Sequence, residues 1–84
     1  MTTPESIREA IARGLACEHV DVEGDGHHFE ARIVSSAFEG RSRIERHRLV
    51  YAALGDRMRQ EIHALSMRTL TPAEAAAGGG SPRA

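Results

Sequence analysis

The 84-residue chain has no tryptophan and no lysine, one cysteine, one tyrosine and two phenylalanines. With aromatics this scarce, a core must be assembled mainly from Ile, Leu, Val, Ala and Met. A domain of this length buries only about 60–65% of its unfolded surface, so one small domain of modest stability is expected. The single cysteine, Cys17, excludes an internal disulfide and any all-cysteine metal site made by one copy of the chain. Metal chemistry therefore has to draw on histidine, carboxylates or a partner. No apolar run approaches the roughly 18 residues of a membrane span, and Met1-Thr2-Thr3-Pro4-Glu5 lacks the basic-then-apolar profile of a secretory leader. These absences point to the cytoplasm.

A strong charge of one sign is also lacking. The net charge is −1, which argues against a strongly basic nucleic-acid binder. The distribution is uneven: residues 41–60 hold six arginines against Glu45 and Asp56, a local +4 that leaves −5 on the remainder. Every basic side chain is arginine, which reads first as a compositional bias of the genome.

Among the patterns that are present, Thr3-Pro4-Glu5 reads as a helix start, with an acceptor for orphan amides, a first-turn proline and an acid at the positive end. Ile7, Ile11 and Leu15 then form one apolar stripe, predicting a helix over 4–14. Val20 and Val22 alternate with His19, Asp21 and Glu23, and Phe29, Ala31 and Ile33 alternate with Glu30 and Arg32. Both are half-buried strands, and Gly24-Asp25-Gly26 between them, with glycines free to take positive φ, predicts an antiparallel hairpin. From Ser42 the period becomes helical, with Ile44, His47, Val50, Tyr51, Leu54 and Met58 on one stripe and an end or kink near Gly55. Ile62 to Leu70 returns to period two as a third strand, with Leu65 and Met67 on one face. Thr71-Pro72-Ala73-Glu74 reads as a capping box that opens a short last helix. Residues 1–76 are expected to form the one domain and 77–84 a flexible tail, because AGGGSPRA has too little apolar surface to order itself.

The second and third strands are joined by a helical crossover of about 25 residues, which places them parallel with a right-handed connection. Their N-terminal ends then share one edge of the sheet. This brings His27 and His28, at the start of one strand, toward His63, at the start of the other.

The stretch from Phe38-Glu39-Gly40-Arg41 to Val50-Tyr51, followed by Ile62-His63-Ala64-Leu65 and Thr69-Leu70-Thr71-Pro72-Ala73-Glu74, closely resembles the BolA family over most of residues 18–74. Gly24-Asp25-Gly26-His27-His28-Phe29 is similar to the branch of that family with a histidine-bearing loop. The resemblance implies an α+β fold, αββαβ with a short C-terminal helix, a three-stranded mixed sheet packed on helices and similar to a class II KH domain. It also implies pairing with a monothiol glutaredoxin, in apo complexes and in complexes bridged by a 2Fe-2S cluster. There the partner offers a cysteine thiolate and a glutathione thiolate. This chain would offer His63 and a loop histidine, His28 or alternatively His27. The isolated chain would be a monomer without a cluster of its own. Some relatives are described as transcriptional regulators. One departure is visible: many relatives carry an aromatic and basic residues after Thr-Pro-Ala-Glu, where this chain has Ala75-Ala76-Ala77 and glycines.

Each candidate also has a plainer reading. A lone histidine at the start of a strand, like His63, is usually structural, and the resemblance is what turns it into a ligand. Strand parity places His27 in phase with Phe29, whereas the family pattern of a histidine directly before the aromatic favours His28, which is preferred here. His47 lies on the apolar stripe of the long helix and reads as a hydrogen-bonded core histidine. His19 sits on a polar strand face with no partner evident. Cys17 reads as a small buried apolar residue. Arg41, Arg43, Arg46 and Arg48 could contact nucleic-acid phosphates, which makes a DNA-binding regulator the alternative function. Against it, the segment lacks interleaved aromatics and a Gly-x-x-Gly loop. A solvated face or a contact for an acidic partner is the simpler meaning. With no Ser-His-Asp set, phosphate loop or convergent carboxylate pair, the sequence predicts a binding protein and no enzyme.

Overall fold

A computed structural model of the chain describes residues 3–25, 28–55 and 64–77. Helix α1 (Pro4–Gly14) starts where the Thr3 hydroxyl accepts from the Ser6 amide at 3.1 Å and the Ser6 hydroxyl accepts from the Thr3 amide. Its four-residue spacing buries Ile7 and Ile11 completely. Strand β1 (His19–Gly24) pairs antiparallel with β2 (His28–Val34), from His19 opposite Val34 to Gly24 opposite Phe29. Strand β3 (Ala64–Leu70) lies on the other side of β2 and runs parallel to it, from His28 beside Ala64 to Val34 beside Leu70. The chain thus has the expected three-stranded mixed sheet, and the expected parallel crossover.

Among the described residues that crossover contains a 3-10 turn (Ser36–Phe38) and helix α2 (Arg43–Leu54), which is capped by Ser42 and stops at Gly55. Ser35 holds the exit from β2: its fully buried hydroxyl donates to the Ala16 carbonyl and accepts from the Ala37 amide at 3.0 Å. A short helix α3 (Pro72–Ala76) follows β3, opened by the Thr71–Glu74 capping box. Ala77 still bonds to this helix through the Ala73 carbonyl. The rest of the expected tail, 78–84, lies outside the described residues.

Alternation gives the sheet two unlike faces. Phe29, Ala31 and Ile33 turn to the helices and form the core with Ile7, Ile11, Phe38, Val50 and Leu54. His19, Asp21, Glu23, His28 and Glu30 are exposed on the other face.

The stripe expected on α2 is only partly the buried one. Val50 and Leu54 are buried, but Ile44 is 65% exposed and Tyr51 40% exposed, while Arg46 is half-buried. Met58 lies outside the described residues. Two contacts set this rotation. Gly14 of α1 lies so close to α2 that a Cβ there would stand 2.8 Å from the Ala53 Cβ, and Arg46 is anchored across the fold as described below. Hydropathy alone records neither.

Candidate functional site

The hairpin end of the sheet is built from Gly24, Asp25 and His28. The His28 amide donates to the Asp25 carboxylate at 2.9 Å, and the Asp25 amide donates to the His28 carbonyl at 3.2 Å. The sequence predicts positive φ within Gly24-Asp25-Gly26; Gly26 lies outside the described residues, and among those described only Gly40 and Gly55 take it. Gly24 is instead a strand residue that Phe29 and His28 crowd, since a Cβ there would come 2.6 Å from the His28 carbonyl oxygen and strike the Phe29 ring. The hairpin so closed puts the His28 side chain on the exposed polar face, in phase with Glu30. Glu23 faces Glu30 across the strands. A shallow hollow of about 460 Å³ is lined by Glu23, Gly24, Asp25, His28 and Glu30.

Among the described residues no three His, Cys, Asp or Glu side chains converge closely enough to hold a metal ion. The His28 ring makes no hydrogen bond among them, which leaves both nitrogens open to a ligand. His27 and His63, the other two candidates, lie outside the described residues. The register nevertheless places Ala64, the residue that follows His63 in the chain, directly beside His28. Adjacent strands are about 4.8 Å apart. One imidazole on an exposed edge suits iron chemically, and it suits a site completed by other donors.

The arginine cluster divides in two. Arg46 reaches inward: its guanidinium donates to both Glu74 carboxylate oxygens at 2.8 and 3.2 Å, to the Thr69 carbonyl at 2.9 Å and to the Arg41 carbonyl at 3.0 Å. It also lies 6.0 Å from the centre of the Phe38 ring. These hydrogen bonds, with the one from the Thr71 amide, hold the Glu74 carboxyl down at about 2. Arg46 was one of four residues read as a nucleic-acid or partner contact, and the structure makes it a clamp between α2, β3 and α3. Sequence reasoning missed this because no local pattern links residues 28 positions apart. Arg41, Arg43 and Arg48 remain exposed.

The other candidates resolve as follows. His47 is half-buried and meets the Tyr51 ring edge-on at 6.5 Å, and its ring makes no hydrogen bond among the described residues, in place of the one expected. Burial, with Arg43 nearby, pushes its pKa down. His19, which had no evident partner, pairs with Asp21 at 2.6 Å, two residues along the same strand face. Cys17 packs half-buried against the core, and burial pushes its thiol up. No helix among the described residues is long and apolar enough to cross a membrane.

Comparison with known proteins agrees with this architecture. The family model for BolA-like protein matches residues 7–74. Human BolA-like protein 1 is 45% identical over 79 residues, covering 82% of this chain and 58% of that protein. The solved structure of a bolA protein homologue from Coxiella burnetii is 49% identical with a TM-score of 0.82, covering 90% of this chain and 99% of that one. The BolA domain of SufE1 from Arabidopsis thaliana is 39% identical with a TM-score of 0.76, over 84% and 93% of the two chains. The chain spans only part of several curated relatives, down to 13% of the chloroplastic/mitochondrial SufE-like protein 1. A mixed sheet with this register, a family model that matches residues 7–74 and solved structures alike over most of this chain lead to one assignment: the chain belongs to the BolA-like family.

Proposed function

We propose that this chain is an adaptor that binds a monothiol glutaredoxin and shares a 2Fe-2S cluster with it, in iron–sulfur trafficking or iron and redox sensing. It contributes imidazole from His63 and His28, with His27 as the alternative loop ligand. The observation that carries the reading is the parallel register of β2 and β3, in which His28 lies beside the residue next to His63. The likeness to the BolA domain of SufE1 supports the same setting.

The chemistry follows from the donor set. One chain with one half-buried cysteine is short of ligands, so the cluster is completed by the cysteine and glutathione thiolates of the partner. Histidine on one iron raises the reduction potential above that of all-thiolate ligation. Imidazole must be neutral to bind, so protons compete with iron for the shared site. No turnover by the chain itself is proposed.

Against the DNA-binding alternative, Arg46, one of its four candidate cations, is paired with Glu74. Co-expression with a monothiol glutaredoxin, followed by visible absorption of the copurified complex, tests the main reading. The complex should carry cluster absorption that His63→Ala abolishes or converts to that of glutaredoxin alone. A colourless complex together with salt-sensitive duplex binding would favour the regulator instead.

A further inference from the structure

Among the described residues β3 has a neighbouring strand on one side only. The Leu70 carbonyl accepts from the Ser35 amide at 2.9 Å, on the β2 side. Alternation along a strand therefore turns the backbone groups of Leu65, Met67 and Thr69 outward. Arg46 agrees with this parity, since it approaches the fold from α2 and takes the Thr69 carbonyl at 2.9 Å. The outward amides and carbonyls of Leu65 and Met67 have no partner among the described residues. A row of this kind is a template for a further strand.

The edge opens into a groove of about 1180 Å³ walled by the start of α2, with Arg41, Arg43 and His47, and floored in part by Met67. The groove exists because α2 leans on α1 more than on β3, which leaves Leu65 and Met67 only half-buried. The wall is cationic without compensation. Arg43 has no ion pair among the described residues, and Arg41 spends only its Nε, on the Ala37 carbonyl at 3.0 Å. On the opposite side of the same groove stand Asp21, Glu23 and Glu30 together with Arg32 and Arg68, a side of mixed charge.

We propose that this groove receives an extended acidic segment of a partner protein, which adds as a fourth strand along β3 with its carboxylates toward Arg41 and Arg43. An added strand points alternate side chains to opposite faces. The polar-face side carries both signs, with Arg32 and Arg68 beside Glu23 and Glu30, so acidic residues are called for only at every second position, toward Arg41 and Arg43, and uncharged residues serve between them. Arg46 on Thr69 closes the edge at its C-terminal end. The proposal does not rest on the cluster reading, because the edge and its cations are present whatever the histidines bind.

The test is fluorescence polarisation with the full chain and a labelled short peptide in which Glu alternates with Thr and Val. It is run beside the Gln counterpart, the Glu peptide N-methylated at alternate backbone amides, and a short duplex DNA. Binding of the Glu peptide is expected, weaker by about tenfold or more for the Gln and the N-methylated peptides. Arg41→Glu combined with Arg43→Glu should cause a similar loss, with circular dichroism unchanged, while Arg48→Glu should leave binding as it was. Peptide-induced amide shifts in the nuclear magnetic resonance spectrum should centre on Leu65 and Met67. Absence of binding, or equal binding of the N-methylated peptide, overturns strand addition. Duplex binding lost in the same double variant, without peptide binding, assigns the groove to nucleic acid.

Discussion

Arg46 and Glu74, 28 residues apart in the chain, meet through two hydrogen bonds of 2.8 and 3.2 Å that tie α2 to α3. The Glu74 carboxyl sits at about 2 against an ordinary 4.5. A carboxyl held low in the fold contributes stability that is fully present above its unfolded value and is lost as pH falls through its folded value. Chemical unfolding should therefore show wild-type stability dropping between pH 4.5 and about 2, with Glu74→Gln lacking that component of the drop. Parallel curves for the two proteins across the window would mean that the pair is not formed in solution.

Removing the other partner costs more. Arg46→Ala strands the carbonyls of Thr69 and Arg41 as well as Glu74, and the loss of hydrogen bonds from a charged donor at a half-buried site should destabilise by about 1–3 kcal/mol. Arg48→Ala, on the exposed side of α2, should stay within about 0.5 kcal/mol of wild type. Thermal unfolding of both distinguishes a structural arginine from a surface one.

Gly24→Ala tests the hairpin. The added methyl would stand 2.6 Å from the His28 carbonyl oxygen and meet the Phe29 ring, and overpacking of this kind costs about 1–3 kcal/mol. Urea denaturation should show that loss. Because His28 has to move with its carbonyl, a co-expressed glutaredoxin complex should also retain less cluster.

The ligands can be separated by their chemistry. His63→Ala removes an imidazole that Cys17 is not placed to replace, so the shared cluster should be lost or become an all-thiolate form of lower potential. His28→Ala should weaken it less if His27 substitutes. His28→Cys should keep the cluster and lower its potential, because a thiolate puts more negative charge on iron than a neutral imidazole does. Visible absorption and potentiometry measure all three. A wild-type spectrum and potential in the His63→Ala complex would remove His63 from the site.

Much of the fold is legible in the sequence because its signals are local. The Thr3 and Thr71 starts, the alternation about Phe29 and Met67 and the glycine-bearing turn each depend on residues a few positions apart. The parallel pairing also follows, since a helical crossover leaves little topological choice. The hairpin position of His28 was readable for the same reason. Side-chain partnerships across elements were not. Hydropathy assigned Ile44 and Tyr51 to the buried stripe of α2 and Arg46 to a surface cluster. The packed molecule exposes the first two and draws the third inward, because the rotation of a helix is set by what lies against it: here the close approach of Gly14 to Ala53 and the acceptors at Thr69 and Glu74. Composition and periodicity thus determined the elements, their order and the edge on which His28 stands. Only the tertiary structure decided which arginines are free, because a charge is committed or available according to partners that the chain supplies from a distance.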